Sequence, residues 1–157
     1  MPIAVGQPAP DFVLKDQNQK EVKLSDFKDK KNVVLVFYPL DWSPVCTTEH
    51  ACFVSDMKKF EQLDAQVLGV SVDSVWSHKA YAEKMGISYP LLADFHPRGA
   101  MADRYGVYLA EKGITGRAIA IVNKAGNVAW FKQYDIPQVP DLAEVAQALA
   151  GVKSATA

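Results

Sequence analysis

The chain has 157 residues, 17 basic against 18 acidic, for a formal net charge of −1, with 49% apolar and 22% charged residues. This near-neutral balance removes the electrostatic case for a nucleic-acid partner, which calls for a basic face, and no apolar run is long enough to span a bilayer. A chain of this length fits one domain, expected over 3–153, that hides roughly 70% of its unfolded surface without disulfide staples.

From the N-terminus, residues 1–11 contain no apolar segment of the signal-peptide kind, so the cytoplasm is the expected compartment. Two short apolar stretches, 12–14 and 21–24, flank Asp16-Gln-Asn-Gln and read as a hairpin. Residues 32–38 form a buried-strand pattern, rich in β-branched and aromatic side chains and stopped by Pro39. A helix is predicted over 45–63, with Phe53, Met57 and Phe60 on one stripe. A second strand follows at 67–72, then a helix over 75–85 that ends at Gly86, suited to a left-handed cap. Residues 89–93 read as a short strand, placed at a sheet edge by Pro90. A short helix over 99–105 precedes two strands, 117–122 and 127–131, joined by a turn at 123–126. A last helix over 141–150 puts Leu142, Val145 and Leu149 on one face. Alternating strands and helices that end in a hairpin point to an α/β protein of thioredoxin-like fold, a mixed central sheet with helices on both faces and an N-terminal hairpin.

The chemistry concentrates between Tyr38 and Glu49. The strand stops at Pro39, a loop follows, and Pro44 stands where a helix can begin, so Cys46 falls in the first turn. Unpaired N–H groups and the positive end of the helix dipole favour an anion there, and helix N-termini lower cysteine pKa values below the free value of about 8.5. At about 100° per residue, Cys46 lies roughly 20° from Phe53 and Glu49 roughly 40° to the other side. A sulfur and a carboxylate thus share an inward, apolar arc. A carboxylate buried there needs a partner, and an arginine is the natural one.

The segment Pro39-x-x-x-Ser43-x-x-Cys46, preceded by Phe37-Tyr38 and followed by Glu49, resembles the Pro-x-x-x-Thr/Ser-x-x-Cys active-site motif of the peroxiredoxins. The resemblance extends through Gly69-Val-Ser-Val-Asp73, Leu91-Leu-Ala-Asp-Phe95, Tyr105-Gly-Val107 and the strand that begins at Gly116-Arg117, together spanning 5–150. The stretch 91–99 and the short C-terminus are most similar to the one-cysteine, AhpE-like branch. The resemblance implies a thiol-dependent antioxidant peroxidase that needs no cofactor. Cys46 would be the peroxidatic nucleophile, Ser43 would hydrogen-bond the peroxide, Arg117 would favour thiolate and developing charge, and Pro39 would shield the pocket. Glu49 would orient Arg117, with Tyr38 beside the motif. Where Ser43 stands many members of the family have threonine, so a hydroxyl is kept and a positioning methyl is lost. The partners implied are a hydroperoxide and a thiol reductant (thioredoxin, a glutaredoxin-like protein or a low-molecular-weight thiol), and a homodimer built through the active-site loop.

Cys52 is the second of two cysteines. On an intact helix, positions six apart are about 120° and about 9 Å apart, whereas a disulfide wants Cα atoms within about 7 Å. The geometry favours an external thiol as resolver and Cys52 as a small residue on the helix flank. The alternatives are a Cys46–Cys52 disulfide formed by unwinding the first turns, or a redox sensor or holdase that uses Cys46 as a switch. A metal site from Cys46, His50 and Cys52 has too few ligands and poor alignment on the helix. His78 and His96 are expected at the surface, and Trp42, Trp76, Tyr81 and Phe95 in the core or in a dimer interface.

Overall fold

A computed structural model describes residues 3–155. The first hairpin pairs β1 (Val13–Lys15) with β2 (Glu21–Lys23), and a 3-10 turn follows at Leu24–Phe27. Then come β3 (Asn32–Phe37), α1 (Pro44–Ser55), α2 (Met57–Gln62), β4 (Ala65–Ser71), α3 (Val75–Met85), β5 (Leu91–Ala93) and α4 (Ala100–Arg104). The chain closes with β6 (Tyr108–Leu109), β7 (Ile114–Thr115), β8 (Arg117–Val122), β9 (Val128–Tyr134) and α5 (Leu142–Ala155). The central sheet has the order β5-β4-β3-β8-β9. β3 runs parallel to β4 and antiparallel to β8, so the sheet is mixed.

All six residues of β3 are buried, because this middle strand is covered on both faces. Alternation splits its side chains between two cores. Val34 and Val36 join Phe53, Phe60, Tyr81, Val145 and Leu149 under α1, α2, α3 and α5. Val33, Leu35 and Phe37 join Leu68, Val70, Met101 and Tyr105 under α4 and the N-terminal hairpin. Enclosing one such side chain contributes about 2–3 kcal/mol. No helix among the described residues is long and apolar enough to cross a membrane.

The predicted elements are present, with four differences. The helix expected over 45–63 is broken at Asp56, whose backbone departs from helical values (φ −99°, ψ 9°). The break lets Phe53 and Phe60 meet in the same core, with ring centroids 5.4 Å apart. A small hairpin, β6–β7, lies where a loop was expected, since two-residue strands leave no periodicity to read. β9 extends to Tyr134, which sits in register opposite Arg117. α5 runs past 150 to Ala155. Gly86 caps α3 in the left-handed conformation (φ 68°), as its position predicts.

Candidate active site

α1 opens where the sequence places it. Ser43 is the N-cap in extended conformation and Pro44 occupies the first turn, where a missing N–H costs no helical bond. The Ser43 hydroxyl does not cap the helix; it donates to the Leu40 carbonyl at 3.1 Å. Cys46 is a free thiol, fully buried. Pro39 is buried beside it in sequence and Ser43 is half-buried.

Arg117 reaches this sulfur from the far side of the sheet's midline. Phe37 of β3 pairs with Ala118 of β8, so the start of β8 lies beside the end of β3, where the loop to α1 departs. Three groups fix the guanidinium. Nη2 donates to Cys46 Sγ at 3.3 Å, Nη1 to Glu49 Oε1 at 2.6 Å, and Nε to the Ile136 carbonyl at 2.9 Å. Arg117 and Glu49 are almost wholly enclosed (2% and 1% exposed), so a solvated arginine and a surface helix glutamate are both excluded. One cation thus faces two potential anions. Burial outweighs the pull of Arg117 and pushes the Glu49 carboxyl up to about 7. A protonated Glu49 leaves the positive charge of Arg117 to the sulfur. Next to this group, Glu49 Oε2 and the Tyr134 hydroxyl are buried without a hydrogen-bond partner among the described residues.

Cys52 is half-buried on the same unbroken helix. It faces a cleft shared with Thr48, Ala51, Pro140 and Leu142, and has no arginine contact among the described hydrogen bonds. His50, one turn after Cys46, is buried against Tyr89, with Nδ1 2.5 Å from the phenol oxygen. Burial lowers its pKa to about 3, so the ring is neutral. Among the described residues, the cluster whose ligand-type atoms lie within 4.8 Å of one another is Asp41, Asp73 and His78, which contains none of Cys46, His50 and Cys52.

The expectation of a surface His78 is overturned. Its side chain is fully buried, and it lies in a polar knot with Asp41 and Asp73 whose ligand-type atoms all fall within 4.8 Å of one another. Tyr38, expected beside the motif, donates to Asp41 Oδ1 at 2.7 Å, and burial raises its pKa well above the ordinary phenol value. The signal for His78 was present: His78, Tyr81 and Ala82 fall at i, i+3 and i+4 on the buried stripe of α3. Of the four aromatic candidates for core or interface, Tyr81 is buried, whereas Trp42, Trp76 and Phe95 are about half or more exposed. His96 is exposed, as expected.

A buried thiol, bonded by a guanidinium at the start of a helix on a thioredoxin-like sheet, fits a cysteine-based peroxidase better than a dithiol exchanger, which would need a second cysteine where Glu49 stands. Residues 5–131 match the AhpC/TSA family. The chain is 36% identical over 148 residues to alkyl hydroperoxide reductase E of Mycobacterium tuberculosis, covering 94% of this chain and 97% of that protein. It is 43% identical over 136 residues to a chloroplastic 2-cysteine peroxiredoxin of Chattonella marina var. antiqua, covering 80% and 68%. Among solved structures, the mitochondrial 2-cys peroxiredoxin of Plasmodium falciparum superposes with a TM-score of 0.84 at 31% identity, covering 95% of this chain and 94% of that one. Peroxidoxin BcpB of Mycobacterium tuberculosis gives 0.82 at 28% identity, covering 97% of each. The chain belongs to the AhpC/TSA family and is a thiol-dependent peroxidase of the AhpE-like kind.

Proposed function

We propose that this protein reduces hydrogen peroxide and organic hydroperoxides at Cys46 and is returned to the thiol state by an external thiol. The observation that carries the reading is the Arg117 fork, which bonds Cys46 Sγ and Glu49 Oε1 together in a site closed to bulk water. The Cys46 thiolate attacks one peroxide oxygen, a sulfur–oxygen bond forms, the O–O bond breaks, and the departing alkoxide or hydroxide takes a proton. The products are a sulfenic acid and an alcohol or water. Arg117 favours the thiolate and the charge that grows on the peroxide oxygens. Ser43 exchanges its bond to Leu40 for one to the peroxide, Pro39 keeps water out, and Glu49 orients Arg117.

The unbroken helix from Pro44 to Ser55 supports an external resolver over Cys52, because it holds the two sulfurs six residues apart on different faces. Thioredoxin, a glutaredoxin-like protein or a low-molecular-weight thiol is the reductant: its sulfur attacks the sulfenic acid to form a mixed disulfide with loss of water, and a second thiol attacks that disulfide, leaving as the reductant's own disulfide and releasing the Cys46 thiol. Exposed Trp42, Trp76 and Phe95 support a homodimer built around the active-site loop. We place the protein in the cytoplasm.

The test is intact mass after one equivalent of hydrogen peroxide with a sulfenic-acid trap, in the parent and in Cys52→Ser. Trapping on Cys46 in both is the expected result. A loss of two hydrogens in the parent only would make Cys52 the resolver, and an unreactive Cys46 would remove the peroxidase assignment.

A further inference from the structure

The loop that carries Pro39 and Ser43 from β3 into α1 is not held by its own backbone alone. Asp41, buried at its centre, gathers contacts from three other segments. Its carboxylate accepts from the Tyr38 hydroxyl at 2.7 Å, from Ser77 Oγ at 2.9 Å and from His78 Nδ1 at 2.8 Å. Its backbone N–H donates to Asp73 Oδ2 at 2.8 Å, an oxygen that also accepts from Ser71 Oγ at 2.5 Å. The end of β4 and the first turn of α3 therefore both grip one residue of the loop.

The protonation of His78 follows from its partners. Nδ1 faces the Asp41 carboxylate and Nε2 faces the Leu92 carbonyl at 3.1 Å. A carbonyl oxygen and an ionised carboxylate are both acceptors, so an imidazolium, with a hydrogen on each ring nitrogen, would satisfy both contacts. Two hydroxyls, of Tyr38 and Ser77, also donate to the Asp41 carboxylate. Other groups facing this ring are Asp73 from the β4–α3 connection, Tyr38 from the end of β3 and the neutral His50 from α1. The result is a buried polar contact between the loop and α3.

The next residue explains why such a tether matters. Trp42 adopts φ 74°, a left-handed conformation that an aromatic residue rarely holds unless its surroundings impose it. Its ring is edge-on to Tyr81 at 5.1 Å, and the Tyr81 hydroxyl is 3.1 Å from Thr47 Oγ1, one residue beyond Cys46. A strained residue thus lies between the tethered Asp41 and Ser43. Loss of the tether would let this residue relax and shift the Ser43 hydroxyl relative to the sulfur.

We propose that Asp41 and His78 are positioning residues for peroxide reduction, a buried carboxylate–imidazolium pair that pins the loop so that Pro39 and Ser43 keep their places around Cys46. This inference rests on the proposed role of Cys46. It predicts a split between two reactions of one sulfur. Oxidation by hydrogen peroxide needs the loop in place; alkylation by iodoacetamide needs only the thiolate beside Arg117.

The experiment compares both rates at Cys46, in a Cys52→Ser background, for the parent, His78→Gln, Asp41→Asn, Ser77→Ala and the His78→Gln/Asp41→Asn pair. His78→Gln and Asp41→Asn should each slow peroxide oxidation about tenfold or more while alkylation stays within about twofold, since misplacement of a contacting group costs heavily only in the reaction that uses it. The pair should be no slower than the worse single variant. Ser77→Ala, which removes one hydroxyl and buries no unpaired charge, should show the same split at about threefold, and it serves if the His78 variant does not fold. The nitrogen-15 spectrum of histidine-labelled parent should show hydrogens on both ring nitrogens of His78. Equal losses in both reactions, unchanged peroxide rates, or a singly protonated His78 ring would each overturn the proposal. A parent that is alkylated at Cys46 but ignores hydrogen peroxide would overturn the peroxidase reading first, and this inference with it, whatever the spectrum shows.

Discussion

Cys46 and Cys52 lie on one helix, six residues apart, yet the fold gives them opposite surroundings. Cys46 is closed off from solvent and bonded by a guanidinium that is itself fixed by a carboxylate and a backbone carbonyl. Cys52 is half-buried beside a cleft lined by small and polar residues. The helix supplies the same backbone to both. The difference comes from position along it, first turn against last, and from which face meets β8. A cysteine becomes a nucleophile through its neighbours, and here the guanidinium beside it comes from 71 residues away in sequence.

The largest expected effect comes from removing that neighbour. Arg117→Ala should slow oxidation of Cys46 by about a hundredfold or more, the range seen when one donor to a developing charge is lost, and should make Cys46 and Cys52 more alike toward an alkylating agent. Stopped-flow fluorescence with hydrogen peroxide measures the first effect. A variant as fast as the parent would show that the fork to Cys46 is incidental. Ser43→Ala comes next, with about a tenfold loss in peroxide rate expected from one missing hydrogen bond and an intact fold; an unchanged rate would take Ser43 out of the mechanism.

The smallest effect concerns stability rather than rate, and it probes Glu49. Its carboxyl is raised from 4.5 to about 7 in the folded chain. The folded state therefore holds the proton more tightly than the unfolded state. The associated stability is fully present below about pH 4.5 and is lost as pH rises through about 7. Glu49→Gln, neutral throughout, should remove this slope, so the stability of the variant relative to the parent should rise across that window by at most about 3 kcal/mol. The depressed His50 works in the opposite sense, with stability lost as pH falls from 6.5 toward about 3, but it is common to both proteins and cancels in the difference. Urea midpoints at several pH values decide the matter, and a constant difference would mean that Glu49 stays ionised.

The sequence alone placed the strand that stops at Pro39, the helix that starts at Pro44, the thiol in its first turn and Glu49 on the same arc as the sulfur. These signals are local: proline stops a strand or starts a helix, and a helix repeats every 3.6 residues, so near neighbours encode them. The short β6–β7 hairpin and the break at Asp56 escaped because neither leaves a period to detect. Arg117 was identified through resemblance to a family, and only the antiparallel register of β3 with β8 brings it to Cys46. His78, expected at the surface, lies instead on the buried stripe of α3 with Tyr81 and Ala82, because its polar ring finds partners inside. The sequence contains no term that joins His78 to Asp41, 37 residues earlier. That pairing exists because β3 and β4 run parallel and in register, Phe37 opposite Val70, so the loops leaving their C-terminal ends emerge side by side. Local sequence determined which residues could be activated, and the sheet register decided which of them meet.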